Sequence, residues 1–219
     1  MAVKDFMTRK VVYVSPDTTV AHAADIMRDQ GLRRLPVIEN DKLVGIVTAG
    51  TMAENSPSKA TSLSIYEMNY LLNKTKIGDI MIKDVITVSP YASIEDAIYL
   101  MMTHKVGVLP VAENDVVSGI ITDKDVFRTF LEVSGYGEAG VRVRILADDS
   151  VGVLEKIVST IAKENLNIRR TVIAEASNGK VVNEIQIDGK VDKADLKAKL
   201  EAVGLTVEDI QDTKAKALF

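Results

Sequence analysis

Apolar residues along this chain follow two periods, and the switches between them mark its elements. Val20, Ala23, Ala24 and Met27 recur at helical spacing and predict an amphipathic helix over residues 19–30. Ile94, Ala97, Ile98 and Met101 predict another over residues 94–104. Short apolar runs surround each helix. Residues 11–14 and 85–88 predict strands that stop at Ser-Pro, because proline ends an extended run. Residues 35–38 and 109–112 predict further strands, which Asn40-Asp41 and Asn114-Asp115 turn into hairpins. The run from Val117 to Ile121 reads as a buried strand followed by a helix over residues 125–133, and a matching helix opens near Thr51.

These matches form a repeat. Asp5, Met7, Val14, Ser15, Pro16, Leu35, Pro36, Val37, Gly45, Ile46 and Thr48 recur without a gap 74 positions later. Their counterparts are Asp79, Met81, Val88, Ser89, Pro90, Leu109, Pro110, Val111, Gly119, Ile120 and Thr122. Two copies of one β-α-β-β-α unit are therefore expected. Neither covers both faces of so small a sheet, so pairing the two supplies the missing cover. Between them, residues 53–62 are polar and turn-rich. Ile65, Met68, Leu71 and Leu72 then predict a helix over residues 64–73, opened by a capping box of Ser64 and Glu67.

Past the turn-like Gly135-Tyr136-Gly137-Glu138 the pattern changes. Residues 141–146 alternate and predict a half-buried strand. A helix opening at residues 149–154 and running to Ala162 should turn Val153, Leu154, Ile157, Val158 and Ile161 inward. Residues 168–174 and 181–187 predict two strands joined by a hairpin at Asn178-Gly179. Residues 192–203 predict a helix capped by Asp192 and stopped by Gly204, before a last strand at 205–210. The order β-α-β-β-α-β is that of a ferredoxin-like sandwich, so the whole chain is α+β.

Thr122 and Asp125 flank a strand-to-helix turn, and two readings fit them. A hydroxyl and free N–H groups at a helix start can seat a phosphate, with a carboxylate three residues on to accept from a ribose diol. The same two residues also make an ordinary helix cap.

The pattern Met81, Ser89-Pro90, Leu109-Pro110-Val111, Gly119-Ile120-Ile121-Thr122 and Asp125 resembles the CBS motif, named for cystathionine β-synthase. The tandem pair resembles a Bateman module, a regulatory unit that binds adenine nucleotides. The resemblance places CBS motifs at residues 1–52 and 77–134, with a helical linker at 53–76. It implies two clefts about a pseudo-twofold axis, each joining the Thr-x-x-Asp end of one copy to the first strands of the other. One cleft would take Thr122, Asp123, Lys124 and Asp125, with Met7, Val12, Leu32, Arg33 and Arg34. Its apolar walls suit an adenine ring, Asp125 the ribose, and the arginines a phosphate. The other would take Thr48, Thr51, Met81, Ile86, Val106 and Gly107. It lacks the carboxylate at Thr51 and a cation at Gly107, and so reads as degenerate. The alternative leaves Arg33 and Arg34 as solvated strand residues.

The tail's element order, with Asp149-x-x-Gly152-x-Leu154 at its first turn, resembles the ACT domain, an amino-acid-sensing module, over residues 139–213. Val151 departs from the proline common before that glycine. The resemblance implies an amino acid near Asp149, Val151, Gly152, Val153 and Leu154, at an interface between ACT domains where Asn167 and Ile168 approach from the next strand. A ligand-free ACT domain that only dimerises is the alternative. CBS pair plus ACT domain resembles the small stand-alone acetoin-utilisation B-like family.

Composition narrows the function. A net charge of −4 with lysines and arginines scattered among acids argues against a nucleic-acid partner. The absence of cysteine excludes disulfides, thiolate metal sites and a cysteine nucleophile. His22 and His104 fall at helix-surface spacing, far apart, with no metal role expected. No run reaches transmembrane length, Met1 to Lys10 carry no apolar core of the kind a secretory signal needs, and the expected location is the cytoplasm. No nucleophile–base pair stands out, so no enzymatic activity and no catalytic cofactor are expected. The expectation is a homodimeric regulatory sensor of AMP, ADP or ATP, with an amino acid as a second ligand at the ACT domain, acting on an unidentified protein target. Rivals are a ligand-independent dimerisation scaffold, a regulator binding cyclic dinucleotides or NAD, and, more weakly, a phosphate-transferring or hydrolysing enzyme.

Overall fold

The computed structural model describes residues 1–56 and 64–217. The chain divides into two compact units, Met1–Phe127 and Arg128–Phe219.

In the first unit a 3-10 turn, Val3–Asp5, precedes α1 (Val20–Asp29), whose first turn is capped by the Thr19 hydroxyl accepting from the His22 N–H at 3.2 Å. β1 (Arg34–Glu39) and β2 (Lys42–Thr48) form an antiparallel hairpin closed by Asn40 and Asp41, both at positive φ, as a type I′ turn requires. α2 (Ala49–Glu54), α3 (Ile65–Lys74) and the one-turn α4 (Ile77–Ile80) follow. The second copy supplies α5 (Ile94–His104), the hairpin β3 (Val108–Glu113) and β4 (Val116–Thr122), and α6 (Asp123–Val133).

The closing helices α2 and α6 begin two residues earlier than expected, because Thr48 and Thr122 act as caps and the residues directly after them are already helical. The expected strands at 11–14 and 85–88 shrink to single parallel bridges, Val14 to Val37 and Val88 to Val111. The Val14 N–H donates to Pro36 and its carbonyl accepts from Ile38, and Val88 bonds Pro110 and Ala112 in the same way, before Ser-Pro turns the chain away in each copy. In the linker the capping box of Ser64 and Glu67 forms, with the Ser64 N–H donating to Glu67 Oε2 at 2.7 Å. Much of the expected turn-rich segment before it, residues 57–63, lies outside the described residues.

The two copies are interlocked through their leading segments. Val3 and Met7 belong to the core of the second copy, with Val88, Ile94, Leu109, Val111 and Ile121. Ile77 and Met81 complete the core of the first, with Val14, Met27, Leu35, Val37 and Val47. Backbone bonds of 2.9 Å run both ways between Thr8 and Ile120, and between Ile82 and Ile46. The methionines lie on glycines: a Cβ at Gly119 would come within 2.4 Å of Met7 Sδ, and one at Gly45 within 2.5 Å of Met81 Sδ. Each buried Val, Ile or Met side chain contributes roughly 1.5–3 kcal/mol.

The second unit contains β5 (Gly140–Asp148), α7 (Val153–Lys163), β6 (Ile168–Glu175), β7 (Lys180–Ile187), α8 (Lys193–Ala202) and β8 (Thr206–Thr213). Its sheet is fully antiparallel in the order β6-β7-β5-β8, the ferredoxin-like topology. Ile157 and Ile161 of α7 and Leu196 and Leu200 of α8 pack on Val141, Val143, Ile145, Ile185 and Ile187. Two residues depart from expectation. Leu154 and Val158 stay 42% and 39% exposed, because the row Val153, Ile157, Ile161 faces the sheet and its neighbours turn aside. α7 also starts at Val153, after Gly152 takes a left-handed conformation, rather than at Asp149. On the opposite face Arg144 bonds Glu184 and Glu208, each at 2.7 Å. The Glu208 bond and then the Glu184 bond raise the guanidinium's pKa above its ordinary value.

Asn183 on β7 is opposite Ile145 and Ile173, 1% exposed, and its Nδ2 finds no acceptor among the described residues. A buried unpaired donor costs about 1–3 kcal/mol. Asn183→Leu is expected to raise the urea midpoint at unchanged slope; a lower midpoint would show that the amide is satisfied in solution.

Candidate functional site

The start of β1, the end of β2, the segment ahead of Val88 and the turn into β3 enclose a cavity of about 540 Å³. Ile46, Ile82, Val85, Ile86, Val106 and Val108 supply apolar walls. Arg33, Arg34 and Lys105 supply cations, and Thr48 and Asp84 add polar groups. This is the cleft expected to be degenerate. Thr48, Ile86, Val106 and Gly107 meet there as anticipated.

The expected lack of a cation is corrected. Arg33 and Arg34, expected at the opposite cleft, also line this one. Arg34 reaches across to the second copy, where its Nη1 donates to the Gly107 carbonyl at 3.3 Å. Gly107 makes the crossing feasible: a Cβ there would be 2.8 Å from Asp123 Oδ2 and 3.0 Å from Arg34 Nη2. Sequence alone placed a missing cation at Gly107, whereas the gap that glycine leaves admits a cation from the other repeat. Two of the expected wall residues do not line the cavity. Met81 turns into the core over Gly45, and Thr51 is bonded to Thr48, hydroxyl to hydroxyl at 2.9 Å and N–H to Thr48 Oγ1 at 3.0 Å. Lys105, Asp84 and Ile82 were missed; their positions in the repeat, next to expected wall residues, were the available signal.

At the other cleft the capping geometry is formed. Asp125 Oδ2 accepts from the Thr122 N–H at 2.8 Å and from its hydroxyl at 2.7 Å, while the Asp125 N–H donates back to Thr122 Oγ1 at 3.3 Å. The Asp123 N–H donates to the Gly107 carbonyl at 3.2 Å, and the Lys124 N–H to Asp123 Oδ1 at 2.8 Å. Met7 is buried over Gly119, so it contributes to the core rather than to an open wall. Val12 and Leu32 are partly buried against the first copy's core.

In the second unit Asp149, Val151 and Gly152 follow the end of β5, with Gly152 at φ 89° and Val151 fully exposed. Val153 packs on the core and Leu154 faces outward. Asn167 and Ile168 sit at the opposite end of the sheet, since Ile168 pairs with Ile187, which pairs with Val141 at the start of β5. One chain therefore keeps these two groups roughly 25 Å apart, at about 3.4 Å per strand residue. Both histidines are exposed, on α1 and α5. Among the described residues no group of three or more His, Cys, Asp or Glu could hold a metal ion, and no helix is long and apolar enough to cross a membrane.

Comparison with known proteins places the first unit. The inosine-5′-monophosphate dehydrogenase of Korarchaeum cryptofilum is 39% identical over 127 residues, which are 57% of this chain and only 23% of that enzyme. The chain thus spans less than a quarter of that relative's length. The crystal structure of a Vibrio cholerae protein assigned to acetoin utilization (AcuB) superposes with a TM-score of 0.52 at 30% identity, over 63% of this chain and 98% of that one. The structure of CBSX2 in complex with AMP gives 0.52 at 27% identity, over 60% of this chain and 97% of that one. The CBS domain model matches residues 3–56 and 77–132, which take in both repeats and half of the sequence. The chain therefore belongs to the CBS-domain family and carries its motif as a tandem pair.

Proposed function

We propose that this protein is a cytoplasmic regulatory sensor whose CBS pair binds an adenine nucleotide in the cavity between Thr48 and Gly107. One observation carries the reading: a cavity of about 540 Å³ presents Ile86 and Val106 to a flat base and Arg33 and Arg34 to a phosphate. Such a volume and such walls suit a ligand of nucleotide size. The likeness to CBSX2, solved with AMP, supports the ligand class. The CBS pair is a regulatory module, and the nucleotide acts as a signal rather than as a catalytic cofactor. It does so by favouring one arrangement of the pair over another.

Calorimetry with ATP, ADP, AMP, NAD and cyclic di-AMP tests the reading. Arg34→Gln is expected to weaken the best ligand about tenfold or more, since charge-assisted bonds contribute roughly 1.5–3 kcal/mol. Asp125→Ala should leave that affinity unchanged. If none of the five binds at millimolar concentration, the reading fails.

A second reading puts a nucleotide in the other cleft, at Thr122, Asp123, Lys124 and Asp125 beside Val12 and Leu32. The carboxylate held at the start of α6 favours it. Asp125→Ala separates the two, because only in that case does it weaken binding.

For the second unit we infer an ACT-type effector module in a homodimer. The ferredoxin-like topology and the glycine turn before α7 support this reading. β6 is an edge strand, exposed along nearly its whole length. Pairing it antiparallel with β6 of a second copy would bring that copy's Asn167 and Ile168 toward Asp149 and Gly152, forming an amino-acid site between chains. Native mass spectrometry of the full chain with an amino-acid panel distinguishes this sensor from a scaffold that dimerises without any ligand.

A further inference from the structure

We infer that the cavity at Arg33 and Arg34 holds its nucleotide by base and phosphate and does not read the sugar, so that ribonucleotides and 2′-deoxyribonucleotides bind alike. The inference rests on the nucleotide reading of that cavity.

Three features of the wall lead to it. A ribose diol is recognised by a carboxylate that accepts from both hydroxyls, and position 51, three residues past Thr48, carries a neutral hydroxyl instead. That hydroxyl does not line the cavity. It is turned onto Thr48, 2.9 Å from the other hydroxyl, while the Thr51 N–H also donates to Thr48 Oγ1. The contact that would distinguish ribose from deoxyribose is thus both uncharged and engaged elsewhere.

Asp84 is the single carboxylate among the lining residues, and it is exposed to solvent, where water competes for its hydrogen bonds. Against it stand three cations, Arg33, Arg34 and Lys105. Arg34 is half-buried, and its Nη1 is anchored on the Gly107 carbonyl at 3.3 Å. A guanidinium has five donors in a planar fork, so this anchor leaves others to meet a phosphate. Charge complementarity is therefore concentrated on the phosphate end, and the apolar residues Ile86 and Val106 serve the base.

Calorimetric titration of the full chain with ATP, dATP and adenosine tests the inference. ATP and dATP are expected to agree within about threefold, with adenosine weaker by about thirtyfold or more. A preference for ATP over dATP of about tenfold would overturn the inference while leaving the nucleotide reading intact. Adenosine binding as tightly as ATP would overturn it too, because the arginines would then contribute nothing. If none of the three binds, the nucleotide reading itself falls and the inference with it.

Discussion

Val3→Asp is expected to unfold the second repeat, although the substitution sits in the first. Val3 is fully buried among Val88, Ile94, Ala97, Leu109, Val111 and Ile121, and its N–H donates to the Ala92 carbonyl at 2.9 Å. A carboxylate there loses its hydration and gains no partner, a cost of several kcal/mol. That is a large fraction of the roughly 5–15 kcal/mol that stabilises a whole domain. Hydrogen exchange followed by mass spectrometry should show protection lost first in α5, β3 and β4. Ile77→Asp is the mirror experiment, since Ile77 is fully buried in the core of the first repeat. Should Val3→Asp loosen α1 and β1 before α5 and β3, the exchange of leading segments between repeats is wrong.

Gly140→Ala is expected to destabilise the second unit by about 3 kcal/mol or more, an unusually large effect for one methyl group. Gly140 opens β5 at φ 150°, and a Cβ there would lie 2.2 Å from the Ile187 carbonyl oxygen. That oxygen belongs to the backbone of β7, the partner of β5 in the sheet, so no side-chain rotation relieves the clash. Gly179 provides the control. It also has a positive φ, of 68°, but a Cβ there would meet nothing within 4 Å. Gly179→Ala should therefore cost only about 1 kcal/mol, the conformational penalty alone. Equal urea midpoints for the two variants would show that β5 and β7 can separate to admit the methyl group.

Local features were legible because their causes are local. The helix from Ile94 to His104 has the bounds its apolar spacing predicts, and the Ser93 and Asp96 side chains cap its start. The Asn40-Asp41, Asn114-Asp115 and Asn178-Gly179 turns all form, since those residues tolerate the positive φ that a tight hairpin needs. The order of elements in the tail, read from period alone, yielded the ferredoxin-like topology. Misreadings arose where several faces compete. Leu154 and Val158 fit an inward stripe as well as Val153 and Ile157 do, and only the position of the sheet chooses between the stripes.

What the amino-acid order determined by itself was a duplicated unit, its caps and turns, and the chemical classes gathered near each cleft. The tertiary structure decided which copy each leading segment completes and that Arg33 and Arg34 line the Thr48 cavity. The reason is physical. Helical period and capping act over about four residues and leave their mark in a short window. Two nearly equivalent hairpins offer Val3, Met7, Ile77 and Met81 the same apolar surface. The choice between them rests on bonds between distant residues, such as Thr8 to Ile120 and Ile82 to Ile46, which no local pattern encodes. Arg34 follows the same logic, crossing to Gly107 because a glycine 73 residues away leaves room for its guanidinium.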